Sequence, residues 1–328
     1  MNKIRRSEKL LRAAFAVLFR EKKLLLFPII ASCITLTFAL FFFAPIAFYP
    51  TGHSYFSAAH WHTVGENVRH NYAPPSTRYT NDQIASGQMQ HDMWKNTATS
   101  FMGGGRIIFQ NWWSALSFAA YYFTLMFLGT FFNVAFYHEI MQVLNGNAVS
   151  IRRGYHFAKM RWRAILWWSL LAGLVGYLIR IIEQRVGFLG KLFTALIGFA
   201  WSLASIFVIP TLVRDPETTN PLQLLRNSAG TLKRTWGETV IGFVGMEAVL
   251  IFFMLPIFLA IGFISGFTHQ TISPLLMFLA MFLMIFPLSW IINVVNSVYR
   301  CALYIYATEG VVPGTFDKEL LDSAWKVK

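Results

Sequence analysis

Charged residues and cysteine are both scarce in this sequence. Asp, Glu, Lys and Arg together make up 13% of its 328 residues, and the only cysteines are Cys33 and Cys301. Soluble domains carry about 25% charged residues, so the composition excludes an ordinary soluble protein. Each cysteine lies in an apolar run, so the pair indicates neither a disulfide framework nor a redox compartment.

Catalytic motifs are also missing. The sequence contains no G-x-S-x-G, no Walker motif, no zinc quartet and no pair of carboxylates flanking a soluble cleft. The nearest approach to an acid/base pair is His138 beside Glu139, and we expect adjacent positions of a helix to face different points. We therefore predict no soluble catalytic domain, no catalytic residues and no cofactor. An enzyme remains open only if its chemistry takes place inside a membrane.

Long apolar runs account for the 55% hydrophobic content of the chain. A hydrocarbon core of roughly 30 Å requires about 20 apolar residues per helix. Six stretches satisfy this length: 24–49, 112–137, 164–182, 192–213, 239–264 and 275–299. The sequence therefore predicts an all-α, polytopic membrane protein in which residues 1–328 form one transmembrane domain. We expect the first run to be an uncleaved span, because no small-residue cleavage site follows it.

The distribution of basic residues predicts the orientation of the six spans. Of the 28 Lys and Arg residues, 21 fall in four segments on one side: 1–23, 138–163, 214–238 and 300–328. Basic flanks are retained in the cytoplasm, so both termini and a tail at 309–328 are predicted to be cytoplasmic. Residues 50–107 then form an extracytoplasmic loop inserted in the first hairpin. The net charge of +13 favours anionic membrane lipids as partners at the inner face, and without a soluble basic domain we expect no nucleic acid partner.

Three basic segments precede the outgoing spans and share one spacing. Each pairs two arginines eight residues apart: Arg12 with Arg20, Arg153 with Arg161, and Arg226 with Arg234. In the first segment, within 1–23, apolar residues fall on one helical face, which is typical of an amphipathic helix lying on a membrane. Asn220 before Pro221 is the predicted N-cap of the third copy, and Asn147 is the candidate cap of the second. The chain then divides into three repeats of an interfacial basic helix and a helical hairpin.

Several blocks of the sequence carry a family resemblance. They are FFNVAFYHE, GLVGYLIRIIEQRVGFLGKLFTALIGFAWSLASIFVIP, LKRTWGETVIG and YIYATEGVVPGTFDKELL. With its WGE and YATEG blocks, the chain resembles a bacterial and archaeal family of six-span membrane proteins of unknown function, over nearly everything except the outer loop. The resemblance implies a multi-pass protein of a prokaryotic cytoplasmic (inner) membrane without an assigned activity. It therefore carries over no catalytic residues.

A polar stripe lies in the last apolar run. Five residues recur there at steps of three and four, which places them on one helical face: Ser289, Asn293, Asn296, Arg300 and Tyr304. A charge inside a bilayer costs about 2.5–3.5 kcal/mol on insertion scales and usually finds a partner. Glu247 lies at a similar depth in the fifth run, so we predict an ion pair between Glu247 and Arg300. The pair could belong to a gate or proton-coupled site, or it could fix the register of two spans.

Two residues of the second span are candidates to complete this site, Asn133 and Glu139. A polar path through the bundle would indicate transport or lipid handling, which is the function that we favour. The alternative is a non-catalytic scaffold or assembly factor that docks partners at its basic cytoplasmic face, and an intramembrane enzyme is the third reading. The sequence does not specify the ligand, a protein partner or the oligomeric state.

Histidines are concentrated in the predicted outer loop. If residues 60–71 were helical, His62, Glu66 and His70 would share a face at steps of four, a spacing that could hold zinc or copper. No HExxH motif or cysteine pair supports such a site. We therefore expect solvated or interface histidines and no bound metal.

Overall fold

The computed structural model of the protein is all-helical over the residues that it describes. These are residues 3–48, 50–55, 57, 59–65, 112–186, 188–234, 274–313 and 316. They include no β-strand. The all-α prediction is therefore confirmed for the described part of the chain.

The helices follow the apolar and amphipathic segments of the sequence. In chain order they are α1 (Lys3–Arg20), a 3₁₀ turn (Lys22–Leu25), α2 (Leu26–Ala47), α3 (Trp112–Leu144), α4 (Ile151–Met160), α5 (Trp162–Arg185), α6 (Phe188–Ala204), α7 (Val208–Arg214), α8 (221–234) and α9 (Pro274–Glu309). Residues 59–65 are also helical. Gly310 ends α9 with a φ of +67°, a left-handed conformation that glycine adopts without steric cost.

Four of the described helical segments are long and apolar enough to cross a membrane. They are Lys22–Phe41, Ala119–Leu144, Trp162–Glu183 and Gly190–Arg214. They overlap the first four predicted spans and indicate a membrane protein. The fifth predicted span, 239–264, lies outside the described residues. The sixth, 275–299, lies within α9, which is helical but is not among these four.

The chain divides into two compact units. One unit comprises Met1–Ser32, Leu128–Ser169 and Phe199–Lys328, and the other comprises Cys33–Phe127 and Leu170–Gly198. In the second unit, Phe38 stacks on Tyr121 with 5.6 Å between ring centroids. The Tyr122 hydroxyl of the same unit donates a hydrogen bond to the Gly173 carbonyl at 3.2 Å. The candidate site described below lies wholly within the first unit.

In the first unit, α1 packs against α9 through its apolar face. Ala14, Val17 and Leu18 of α1 are buried, while Arg12 and Arg20 are exposed. This division follows the helical period in the sequence. The first basic segment therefore uses its apolar side for packing within the protein.

The other two basic helices, α4 and α8, begin at different kinds of N-cap residue. Ser150 is the N-cap of α4, because its hydroxyl accepts a hydrogen bond from the Arg153 amide at 3.4 Å. The prediction of Asn147 as this cap is wrong, since the Asn147 amide group donates to the Gln142 side chain at 2.8 Å instead. In α8 the Leu222 amide donates to the Asn220 carboxamide oxygen at 3.0 Å, which confirms Asn220 as its N-cap.

Helix α4 approaches α3 too closely for a side chain at Gly154. A β-carbon there would lie 2.7 Å from the Ala135 carbonyl oxygen and 2.9 Å from Cγ of Glu139. Only glycine permits this approach. The contact brings the backbone of α4, and with it Arg153, directly against the buried Glu139.

Candidate functional site

A polar cavity of about 490 Å³ lies among α3, α6, α7 and α9. We call it the Arg300 cavity and define it by its lining residues: Asn133, Tyr137, Trp201, Ser202, Ser205, Ile206, Ile209, Ser289, Ile292, Asn293, Asn296, Ser297 and Arg300. Its volume is within the range of about 300–1,000 Å³ that is typical of small-molecule pockets. Most of the lining side chains are polar, although the helices that supply them are largely apolar.

Four of the five members of the polar stripe predicted in the last apolar run line this cavity, together with Asn133 of α3. The fifth member, Tyr304, lines a separate cavity of about 360 Å³ instead. The sequence reasoning missed Tyr137, which follows Asn133 by one helical turn, and Ser297, which lies beside Asn296. The Ser297 hydroxyl donates to the Asn293 carboxamide oxygen at 3.3 Å. The spacing of Asn133 and Tyr137 was a sufficient signal, because residues four apart share a helical face.

The fourth predicted span, 192–213, is interrupted where it reaches the cavity. Residues 205–207 form a turn between α6 and α7, so two helices make up this span. The signal was Pro210, which cannot donate to the Ile206 carbonyl and whose ring would clash with it in a regular helix. The chain tightens instead, with the Val208 amide donating to the Ser205 carbonyl at 3.1 Å.

Ser228 of α8 satisfies the backbone at this break. The Phe207 amide donates to the Ser228 hydroxyl oxygen at 3.0 Å, and that hydroxyl donates to the Ala204 carbonyl at 2.6 Å. Ser228 is fully buried. Irregular backbone at membrane depth is tolerated where it is buried in protein or lines a cavity, and this turn meets both conditions.

The charge on the described lining of the Arg300 cavity comes from one group. Arg300 is cationic, and the lining contains no aspartate or glutamate. Asn133, Ser202 and Asn293 are exposed, so they mark where the cavity opens to its surroundings. Arg300 lies nine residues before the end of α9 at Glu309, about 13 Å along the axis at a rise of 1.5 Å per residue.

Glu139 lies in a different environment and does not line this cavity. Its carboxylate is fully buried and receives two hydrogen bonds from the Arg153 guanidinium, at 2.8 and 2.7 Å. The Ser150 amide donates to it as well, at 2.7 Å. The hydrogen bond with Glu139 raises the pKa of Arg153. Glu139 therefore anchors the start of α4 to α3, and Arg153 belongs to this anchor.

His138 does contact Glu139, contrary to the expectation for adjacent residues. Its Nδ1 lies 3.2 Å from Oε1 of Glu139. Its ring stacks on Phe157 of α4, with 4.2 Å between centroids. Neither His138 nor Glu139 lines the Arg300 cavity, so the contact belongs to the junction of α3 and α4.

Arg161 is buried and fastens the segment after α7. Its side chain donates to four backbone carbonyls: those of Leu212 at 3.4 Å, Asp215 at 2.9 Å, Thr218 at 2.8 Å, and Pro216. Burial lowers the pKa of Arg161, and the nearby Asp215 carboxylate opposes this shift. The spacing in the sequence makes Arg161 the counterpart of Arg20 and Arg234. In the structure Arg161 is buried, whereas Arg20 and Arg234 are exposed.

A family model described as a family of unknown function, DUF6159, matches residues 114–314. The match covers more than half of the chain. The chain belongs to this family. No curated protein and no solved structure matches it.

The DUF6159 region contains every residue of the Arg300 cavity, together with Glu139, Arg153 and Arg161. It begins inside α3, so α1, α2 and residues 50–107 all precede it. The match is therefore narrower than the resemblance predicted, which excluded only the outer loop. In this DUF6159 protein the candidate site is a feature of the family region.

The remaining predicted site residues lie apart from the cavity or outside the described residues. Arg12, Arg20, Arg226 and Arg234 are exposed. Arg20 lines a separate cavity of about 390 Å³, and Arg226 and Arg234 line one of about 360 Å³. His62 is exposed, whereas Glu66, His70 and Glu247 lie outside the described residues. The predicted ion pair between Glu247 and Arg300 therefore stays a prediction. Within the described residues, no group of three potential ligands could hold a metal ion.

Proposed function

We propose that this protein is a multi-pass protein of a prokaryotic cytoplasmic membrane and that it transports a ligand, or handles a lipid, through the Arg300 cavity. The observation that carries the proposal is the convergence of Asn133, Asn293, Asn296 and Arg300 on one cavity of about 490 Å³. Polar and charged groups inside a membrane are costly, and they usually line pathways or binding sites. We expect no catalysis at this site.

The proposed topology has six spans with both termini in the cytoplasm. The four long apolar helices supply the first four spans, and α9 supplies the sixth. The fifth is the apolar run at 239–264. The 21 Lys and Arg residues of the four basic segments support a cytoplasmic location for those segments.

The break between α6 and α7 supports a ligand-binding role for the cavity. Ser205 and Ile206 belong to this break and also line the cavity. Transporters commonly bind substrates where a membrane helix is discontinuous, because the irregular backbone offers polar groups at membrane depth. A packed scaffold has no need of an interrupted span that borders a polar cavity.

A scaffold or assembly role is the second candidate. The exposure of Arg12, Arg226 and Arg234 favours it, because a basic surface can dock an acidic partner or anionic lipids. In that account the Arg300 cavity would have no ligand. An accessible, occupied cavity therefore distinguishes the two functions.

Cysteine labelling tests the accessibility of the cavity. In a background with Cys33→Ser and Cys301→Ala, Asn293→Cys and Asn296→Cys are expected to react with a membrane-impermeant, charged methanethiosulfonate. Val294→Cys is the matched control, because Val294 is fully buried on the same helix, and it is expected to remain unmodified. If Asn293→Cys and Asn296→Cys were as inert as the control, the proposed site would be wrong.

Labelling of sealed membrane vesicles, with single cysteines in the same background, tests the topology. Arg152→Cys, at an exposed position of α4, is expected to react only from the cytoplasmic side. His53→Cys, at an exposed position of the predicted outer loop, is expected to react only from the opposite side. Reaction of both positions from one side would contradict the six-span arrangement, independently of the result for the cavity.

A further inference from the structure

We propose that a second cavity, beside α8, binds a phosphate ester that carries hydroxyl groups, either as the head group of a membrane lipid or as a soluble molecule. This α8 cavity has a volume of about 360 Å³ and is lined by Thr211, Asp215, Arg226, Asn227, Gly230, Thr231, Arg234, Tyr304 and Thr308. All of these residues belong to the first compact unit. The inference goes beyond the proposed function, because the α8 cavity and the Arg300 cavity share no lining residue.

Two arginines give the α8 cavity its positive charge. Arg226 and Arg234 lie on one face of α8, separated by about 12 Å along the helix axis at a rise of 1.5 Å per residue. Both side chains line the cavity and are exposed, so a ligand can reach them from outside the protein. A guanidinium offers parallel N–H donors that match the oxygens of a phosphate. The pair therefore favours an anionic group between the two arginines.

The carboxylates nearby leave this positive charge in excess. Asp215 is the one acidic residue of the described lining, against two arginines. Its two oxygens accept hydrogen bonds from the Thr218 amide at 3.3 Å and the Thr218 hydroxyl at 2.6 Å. Glu309, at the end of α9, receives two hydrogen bonds of 2.6 Å from Arg214. The described lining is therefore net positive, and both carboxylates make contacts with other residues.

The threonines of the lining offer acceptors to a ligand. The hydroxyls of Thr211, Thr231 and Thr308 each donate to the backbone carbonyl four residues earlier, at 2.8, 3.1 and 2.8 Å. A hydroxyl has one hydrogen and two acceptor lone pairs, so each of these oxygens can accept a further hydrogen bond while its own hydrogen is engaged. Acceptors beside two arginines favour a ligand that combines a phosphate with hydroxyl donors, as a phosphorylated polyol does.

The lining is suited to a head group and not to an acyl chain. It contains no aliphatic side chain among the described residues, so an acyl chain would bury little apolar area there. In the proposed topology α8 lies at the cytoplasmic face, where lipid head groups and soluble phosphate esters are both within reach. The two sources share the chemistry that the cavity recognises, and binding measurements distinguish them.

Binding to the detergent-purified, full-length protein tests the ligand class. The probes are glycerol phosphate, inorganic phosphate, dihexanoyl phosphatidylglycerol and dihexanoyl phosphatidylcholine, with both lipids below their micellar concentrations. We expect glycerol phosphate, phosphatidylglycerol or both to bind roughly tenfold or more tightly than the other two probes, which lack the polyol hydroxyls.

The pattern of affinities also identifies the source of the ligand. Tighter binding of phosphatidylglycerol than of glycerol phosphate would assign the site to a lipid head group, and equal or weaker binding of the lipid would assign it to a soluble ester. Phosphatidylcholine that bound as tightly as phosphatidylglycerol would overturn a lipid head group as the ligand. Inorganic phosphate that bound as tightly as glycerol phosphate would overturn the role of the hydroxyls. If neither glycerol-containing probe bound, the whole proposal would be wrong.

Charge variants of α8 assign the binding to the cavity. Arg226→Gln and Arg234→Gln are each expected to weaken binding by roughly tenfold or more, because charge-assisted hydrogen bonds are lost. Lys233→Gln is the matched control, because Lys233 is an exposed basic residue of the same helix outside the lining. It is expected to bind as wild type. Equal losses in all three variants would show that binding follows the general charge of the helix, which would overturn the site.

Filling the cavity gives a test that does not alter charge. A β-carbon added at Gly230 would meet no described atom within 4 Å beyond the backbone of its own helix. Leucine also favours a helix more than glycine does, so Gly230→Leu is expected to keep the melting temperature of the wild type or raise it. It is expected to weaken binding by roughly tenfold or more, because its side chain occupies the cavity. Wild-type affinity in Gly230→Leu would place the ligand elsewhere and overturn the assignment.

Discussion

An Arg161→Ala variant is expected to be less stable than single variants at Glu139, Arg153 or Arg163. Arg161 is only 9% exposed and donates to the carbonyls of Leu212, Asp215, Pro216 and Thr218. A buried carbonyl left without a hydrogen-bond donor costs about 1–3 kcal/mol of stability. Removal of the buried guanidinium charge offsets part of the total cost for the four carbonyls. We expect the free energy of unfolding to fall by about 2–4 kcal/mol, measured as a lower melting temperature in detergent.

The neighbouring arginine provides the control for this variant. Arg163 is exposed, and its guanidinium lies 5.6 Å from the centroid of the Trp162 ring. Arg163→Ala is expected to change stability by less than about 1 kcal/mol. Arg161→Lys is expected to fall between wild type and Arg161→Ala, because an ammonium has fewer donors and a different geometry. Equal melting temperatures for Arg161→Ala and Arg163→Ala would show that the carbonyl contacts contribute nothing to stability.

The second large effect is expected at the Glu139–Arg153 pair, and it should be asymmetric. Glu139 is fully buried, whereas the Arg153 side chain is 39% exposed. Arg153→Ala leaves a buried carboxylate without its counter-charge, so we expect a loss of about 2–3 kcal/mol, below the value for a fully buried pair because water screens Arg153. Glu139→Gln leaves an arginine that can turn toward water, and its cost should be smaller.

A double-mutant cycle measures this pair directly. The variant carrying both Glu139→Gln and Arg153→Ala is expected to be more stable than the sum of the single effects predicts, by about 1 kcal/mol or more. Melting temperatures of the four proteins in one detergent give the coupling, and Arg152→Ala, exposed in the same helix, is the control. Additive single effects would mean that the bidentate contact contributes no net stability.

The polar stripe could be predicted because it depends only on helical geometry. Residues separated by three or four positions share a face of any α-helix, so Ser289, Asn293, Asn296 and Arg300 had to lie together once α9 formed. A polar face on a membrane helix is expected to turn toward the protein interior. Asn133 of the second span was predicted as a candidate to complete the site, but no helical spacing linked it to the stripe.

The contacts of Arg153 and Arg161 could not be predicted, because they depend on the tertiary structure. The sequence gives Arg153 and Arg161 the same spacing as the arginines of the other basic segments. Only the approach of α4 to α3, which Gly154 permits, brings Arg153 to Glu139. Arg161 follows the end of α4 and meets carbonyls more than 50 residues away in the chain.

The interruption of the fourth span could be predicted from the sequence only in part. Pro210 is a local signal that a regular helix must be disturbed near Ile206. The position of the turn also depends on Ser228, which belongs to another helix and completes the hydrogen bonds at Phe207 and Ala204. The sequence therefore contained the cause of the break but not the residue that stabilises it.

Native mass spectrometry of the detergent-purified protein tests the central claim most directly. Wild type and Arg152→Ala are expected to carry one bound small molecule or lipid per chain, and Asn296→Leu is expected to lose it, because the leucine removes a polar group from the cavity lining. The same bound species at the same occupancy in all three proteins, or none in any of them, would contradict a ligand site in the Arg300 cavity.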